Sequence, residues 1–121
     1  MPIKNILVVD DSPTDRQHLS DILAKSGYAV TIAESAEEAF AKVKQKRPDL
    51  VLMDVVMPGQ NGYQATRTLS KDESTKGIPV IICTSKGQET DRIWGLRKGA
   101  RDYIVKPVDQ AELLAKITAL G

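Results

Sequence analysis

Short runs of aliphatic and β-branched residues alternate along the chain with longer stretches whose apolar residues recur at helical spacing. Ile6-Leu7-Val8-Val9 ends at Asp10-Asp11, and Leu50-Val51-Leu52-Met53 ends at Asp54. Val80-Ile81-Ile82-Cys83 ends at Thr84-Ser85, and Tyr103-Ile104-Val105 ends at Lys106-Pro107. A further run, Tyr28-Ala29-Val30-Thr31-Ile32, is weaker and more alternating. Continuous apolar runs this short suit strands buried on both faces, as in a parallel sheet.

The stretches between them predict helices. Ser12-Pro13 supplies an N-cap and a first-position proline, Leu19, Ile22 and Leu23 keep helical spacing, and Gly27 ends the segment. Ser35-Ala36-Glu37-Glu38 reads as a capping box, opening a helix that runs to about Lys46, before Pro48. Residues 63 to 71 predict a shorter helix with Ala65 and Leu69 inward, and Thr90 to Lys98 a fourth, stopped by Gly99. Asp109-Gln110-Ala111-Glu112 starts a fifth, leading into Leu113, Leu114 and Ile117. Strand and helix thus alternate five times, which implies α/β architecture: a parallel sheet with helices on both faces and right-handed crossovers.

Composition narrows the function classes. The 121 residues amount to one domain (1–121), and the helical pattern runs out near residue 120, leaving no stretch for an output domain. Seventeen basic residues against 16 acidic give a net charge of +1, with no global pull toward nucleic acid or anionic lipid. No basic stripe accompanies a helix-turn-helix segment, so nucleic-acid binding is not expected. One cysteine excludes an internal disulfide and a multi-cysteine metal site. No apolar run is long enough for membrane insertion, and the N-terminus lacks the apolar core of a signal peptide, so the expected location is the cytoplasm.

The candidate chemistry sits where the strands end. In a doubly wound sheet, ligands bind beyond the carboxyl ends of the strands, at the switch point. If the strand order is 2-1-3-4-5, then Asp10, Asp11 and Asp54 crowd one pocket, flanked by the Thr84 hydroxyl and the Lys106 ammonium. Three close carboxylates repel, and a hard divalent cation such as Mg²⁺ offsets that. The lysine suits a phosphate oxygen. An aspartate can act as nucleophile and form an aspartyl-phosphate, which makes Asp54 the candidate acceptor.

Each residue alone also has an ordinary role. Asp10-Asp11 can cap a helix, Asp54 can belong to the turn with Met57-Pro58-Gly59, Thr84 can be a strand-end hydroxyl, and Lys106 can be a solvated loop lysine. Their conjunction, each at the end of a different apolar run, favours a site. Cys83 reads as an inert core residue, His18 as a helix residue without chemistry, and Lys42, Lys44, Lys46 and Arg47 as a solvated face.

These residues resemble the receiver domain of two-component response regulators. The matching pieces are Val8-Val9-Asp10-Asp11-Ser12, Leu52-Met53-Asp54 with Met57-Pro58 and Gly62, Thr84-Ser85, and Lys106-Pro107, over about Asn5 to Leu120. Thr84 follows Asp54 by 30 positions and Lys106 follows it by 52, spacings typical of that family. The resemblance implies a doubly wound (βα)5 flavodoxin-like three-layer sandwich of order 2-1-3-4-5, and phosphotransfer from a histidine kinase to Asp54. It implies Mg²⁺ held by Asp11, Asp54 and the backbone carbonyl of Val56, with Asp10 acting mainly through water. It makes Thr84 the switch hydroxyl, Lys106 the phosphate-contacting lysine and Tyr103 the switch aromatic that turns inward when Thr84 moves. It also implies a cis Lys106-Pro107 bond.

A narrower likeness rests on Gly62 to Arg67, on Gln88 to Gly95, and on Gly99 to Tyr103. These look like the stand-alone receivers of type IV pilus chemosensory systems, which serve twitching motility. Val56 and Lys86 are expected to flank the path of the water that hydrolyses the phosphoryl group, giving slow to intermediate hydrolysis. Ser85 is small enough to let Thr84 move. Ile93 and Trp94 point to an output surface for a protein partner, made by helix four, strand five and helix five, although one of the two can equally be core. The expectation is a phosphorylation-controlled binding module rather than an enzyme. A phosphate sink for a shared kinase has the same chemistry. An aspartyl-phosphate phosphatase lacks its usual second aspartate, since Val56 stands there, and a flavin protein would meet repulsion from Asp10-Asp11.

Overall fold

A computed structural model describes residues 3–57, 61–85 and 87–120. The elements run β1 (Asn5–Val9), α1 (Pro13–Lys25), β2 (Ala29–Ala33), α2 (Ala36–Gln45), β3 (Leu50–Met53), α3 (Gly62–Lys71), β4 (Val80–Thr84), α4 (Glu89–Arg97), β5 (Asp102–Val105) and α5 (Gln110–Leu120). All strand pairings are parallel, and the sheet order is β2-β1-β3-β4-β5. The expected order and helix count therefore hold, with ends displaced by a residue or two.

Alternation along the strands divides the core. Ile6, Val8, Leu50, Leu52, Ile81, Cys83 and Ile104 face α1 and α5, against Leu19, Ile22, Leu23, Leu113 and Ile117. Leu7, Val9, Val51, Met53 and Val80 face α2 and α3, against Ala39, Val43, Ala65 and Leu69. A third cluster, Val55, Ile82, Ala100 and Tyr103, lies beside α4 with Tyr63 packed on it. Burial on both faces is why these strands read as continuous apolar runs. The exception is β2, an edge strand where only Ala33 is fully buried, which explains its weaker, alternating pattern.

The helix starts follow the sequence signals. Ser12, Ser35, Asn61 and Asp109 accept from the amides of Asp15, Glu38, Gln64 and Glu112 at 3.3, 3.1, 3.0 and 3.2 Å. The capping box at Ser35 departs in one detail: Glu38 reaches back to the amide of Glu34 rather than that of Ser35. Gly27 and Gly99 turn the chain with φ of +92° and +110°, which suits glycine at a helix C-terminus. The basic group around α2 is a solvated face as expected, with Lys44, Lys46 and Arg47 exposed, while Lys42 donates to Ile32 O and Arg47 to Ser74 O.

Candidate functional site

The register of the sheet builds the pocket. Val9 pairs with Met53, so Asp10 and Asp54 leave adjacent strands side by side. Their backbones are fixed there: Asp10 N donates to Ala33 O at 3.0 Å, and Asp54 N to Val9 O at 2.9 Å. Thr84 pairs with Val105, and Lys106 N donates to Thr84 O at 2.8 Å, which carries the lysine to the same edge. The Lys106-Pro107 peptide bond is cis, as the resemblance implied.

Carboxylate oxygens of Asp10, Asp11 and Asp54 lie within 4.8 Å of one another. Asp10 and Asp54 are 1% and 6% exposed, Thr84 is fully buried, and Asp11 faces solvent. The Lys106 ammonium bonds Asp10 Oδ2 at 2.6 Å and Asp15 Oδ2 at 2.9 Å, and stands 3.6 Å from Asp54 Oδ2. Three carboxylates thus face one ammonium, with Asp11 beside two of them. Hard oxygen donors with surplus negative charge fit a divalent cation such as Mg²⁺.

The electrostatics follow from burial and this pairing. Burial raises the Asp10 carboxyl above the usual range, although the Lys106 bond and the Ser12 amide pull it down. Burial alone would lower Lys106, but its bonds to Asp10 and Asp15 outweigh that and raise it, so it stays charged. The Lys106 bond holds Asp15 below the usual range. Burial pushes the Cys83 thiol up to about 12, in keeping with an inert core residue.

Asp15 and Arg16 were not anticipated. Arg16 is buried, with its guanidinium donating to Asp10 O at 2.8 Å and pairing with Glu34 at 3.1 Å, so it pins the end of β1. The available signal was the place of Asp15 in the first turn of a helix that starts at the pocket. Tyr63 was also missed. Its hydroxyl donates to Asp91 O at 3.2 Å and lies 3.2 Å from the Tyr103 hydroxyl, so the buried Tyr103 is tied to α3 and the first turn of α4.

Val56 turns its side chain half out to solvent, while its amide donates to Asp54 Oδ1 at 3.3 Å. Lys86, Pro58 and Gly59 lie outside the described residues. On α4, Ile93 and Trp94 are 44% and 53% exposed, so neither is core. Leu96 and Val105 are also exposed, and the Lys98 ammonium sits 4.5 Å from the centroid of the Trp94 ring. Among the described residues no helix is long and apolar enough to cross a membrane.

Fold and pocket together define a doubly wound α/β module that gathers carboxylates, a hydroxyl and a lysine at its strand ends. The chain belongs to the response regulator receiver domain family, whose model matches residues 6–118, and so to two-component signalling. It is 56% identical over 115 residues to Protein PilH of Pseudomonas aeruginosa, covering 95% of each chain. It is 41% identical to the phosphate regulon transcriptional regulatory protein PhoB of the same organism, of which it spans 51%. Among solved structures, a putative response regulator from Chloroflexus aurantiacus superposes with a TM-score of 0.93 at 32% identity, covering 99% of this chain and 98% of that one. The Vibrio cholerae chemotaxis protein CheY4 gives 0.90 at 29% identity, covering 98% and 99%. Receiver domains bind Mg²⁺ in such acidic pockets and act between histidine kinases and downstream partners.

Proposed function

We propose that the chain accepts a phosphoryl group on a carboxylate oxygen of Asp54 from the phosphohistidine of a histidine kinase. The phosphorus–nitrogen bond of the donor breaks, a phosphorus–oxygen bond to Asp54 forms, and the imidazole leaves. The observation that carries this reading is the buried Asp54 carboxylate, 3.6 Å from the Lys106 ammonium among other carboxylates. Asp11, Asp54 and the Val56 carbonyl would hold Mg²⁺, with Asp10 acting mainly through water, and the ion supplies positive charge against the charge on the transferring group. Lys106 and the Thr84 hydroxyl meet the phosphoryl oxygens. Thr84 and Tyr103 then shift the equilibrium of the α4-β5-α5 face, which takes a protein partner.

On this reading the 121 residues act as one receiver unit in the cytoplasm, where ATP-charged kinases reside. The unit has no turnover beyond taking up its phosphoryl group and losing it to water. The similarity to PilH, with the likeness to type IV pilus receivers, supports a role in control of twitching motility. An output role is favoured over a phosphate sink by the exposed Ile93 and Trp94, which line one surface hollow on α4, since exposed apolar and aromatic side chains mark interfaces. A phosphatase reading is disfavoured by Val56, whose side chain offers no acid or base.

The test is intact mass after incubation with Mg²⁺ and acetyl phosphate. The wild type gains one phosphoryl group and Asp54→Asn gains none. Equal labelling of Asp54→Asn would move the acceptor elsewhere.

A further inference from the structure

The Lys106 ammonium has three N–H donors, and their uses before phosphorylation are visible. One bonds Asp10 Oδ2 at 2.6 Å and one bonds Asp15 Oδ2 at 2.9 Å, while Asp54 Oδ2, at 3.6 Å, is beyond hydrogen-bond reach. A phosphoryl group on Asp54 brings anionic oxygens toward that ammonium, and they compete for the donors now held by Asp10 and Asp15. The two partners differ in how readily they let go. The Asp10 side chain is 1% exposed, whereas the Asp15 side chain is 42% exposed. An unpaired carboxylate costs little where water reaches it and much where it does not. Asp15 also sits in the first turn of α1, directly after the pocket's Asp10-Asp11 pair, and its own amide is held by the Ser12 cap. Its backbone therefore stays in place when its side chain releases.

We propose that Asp15 is a positioning residue that competes with the phosphoryl group for Lys106, holding the ammonium in the resting pocket and releasing it on phosphorylation. This rests on the reading of Asp54 as acceptor. The Asp15–Lys106 bond exists only in the resting state, so it disfavours the phosphorylated one. Removing it shifts the balance toward the phosphorylated form.

The probe is beryllofluoride, an acyl-phosphate mimic, titrated into the full chain at saturating Mg²⁺ and followed by ¹⁹F NMR. A half-exposed ion pair is worth a few tenths to about 1 kcal/mol, so Asp15→Ala should bind beryllofluoride about two- to fivefold more tightly. Asp15→Glu, which keeps the charge and the reach, should return to the wild-type affinity. NMR of the Lys106 side chain separates release from a change in fold. The free forms of wild type and Asp15→Ala should differ at Lys106, and their beryllofluoride-bound forms should coincide. Equal or weaker binding by Asp15→Ala, or bound forms that still differ at Lys106, would overturn the inference. Failure of the wild type itself to bind beryllofluoride would instead sink the reading of Asp54.

Discussion

Asp10, Asp54 and Lys106 inherit their positions from their own amides' bonds to neighbouring strands, and at the opposite end of the sheet a side chain ties the main chain instead. There the Asp49 carboxylate accepts from the amides of Lys4 and Asn5, both at 2.9 Å, and so ties the start of β1 to the start of β3. The Asn5 amide, then that of Lys4, holds its carboxyl below the usual range. A depressed carboxyl contributes stability that is present above its unfolded pKa, about 3.9, and is lost as pH falls through its folded value. Asp49→Ala should therefore cost about 1–2 kcal/mol at pH 7, and the gap to wild type should close below about pH 4, as read by denaturant unfolding at both pH values. A gap that stays constant with pH would assign the loss to packing. At this scale Asp10, Asp11, Asp54, Thr84 and Lys106 were legible because each terminates an apolar run. Asp15, Arg16 and Tyr63 were not, because a helical residue reaches a pocket only through its rotation and the length of its side chain, which periodicity does not fix.

Helix seating decides how rigidly those residues are presented. At Gly62, the first residue of α3, an added Cβ would stand 2.0 Å from Asp54 O and 2.6 Å from Val55 Cα. The neighbours are backbone and cannot swing aside, so Gly62→Ala must displace either α3 or the segment that carries Asp54. We expect a loss toward the upper end of about 1–3 kcal/mol in thermal unfolding, together with reduced phosphoryl uptake by intact mass. A variant of wild-type stability and uptake would show that the segment yields freely. Gly95 makes a close approach in α4 as well, but to side chains: a Cβ there would come within 2.7 Å of Ile82 Cδ1 and 3.1 Å of the Tyr103 ring. This is also why α4 is the helix whose inward face was hardest to read. Gly95 is its one buried residue, so the usual apolar stripe is missing while Ile93, Trp94 and Leu96 point outward. The other elements were legible from runs and caps, and β2 was faint because an edge strand has little to bury.

Over the whole molecule, two ends of one path are in view. Asp54, Thr84 and Lys106 lie at the strand ends, and the exposed Ile93 and Trp94 lie on α4, whose Gly95 packs against Tyr103. Tyr103 packs with Ile82 and Val55, one residue past Asp54, and its hydroxyl meets that of Tyr63, so a change at the pocket has a packed route to α4. A ligand shifts a conformational equilibrium only by its differential affinity for the two arrangements, and on the proposed reading a phosphoryl group that draws Thr84 and Lys106 toward itself provides that difference. On the proposed reading Trp94 reports on it, since its exposed ring lies on α4 under the Lys98 ammonium. The deciding measurement is Trp94 fluorescence during phosphorylation by acetyl phosphate with Mg²⁺, with mass gain followed in parallel. The account predicts an emission change that tracks the mass gain, requires Mg²⁺ and is absent in Asp54→Asn. Full mass gain with unchanged Trp94 emission would contradict the coupling between pocket and face.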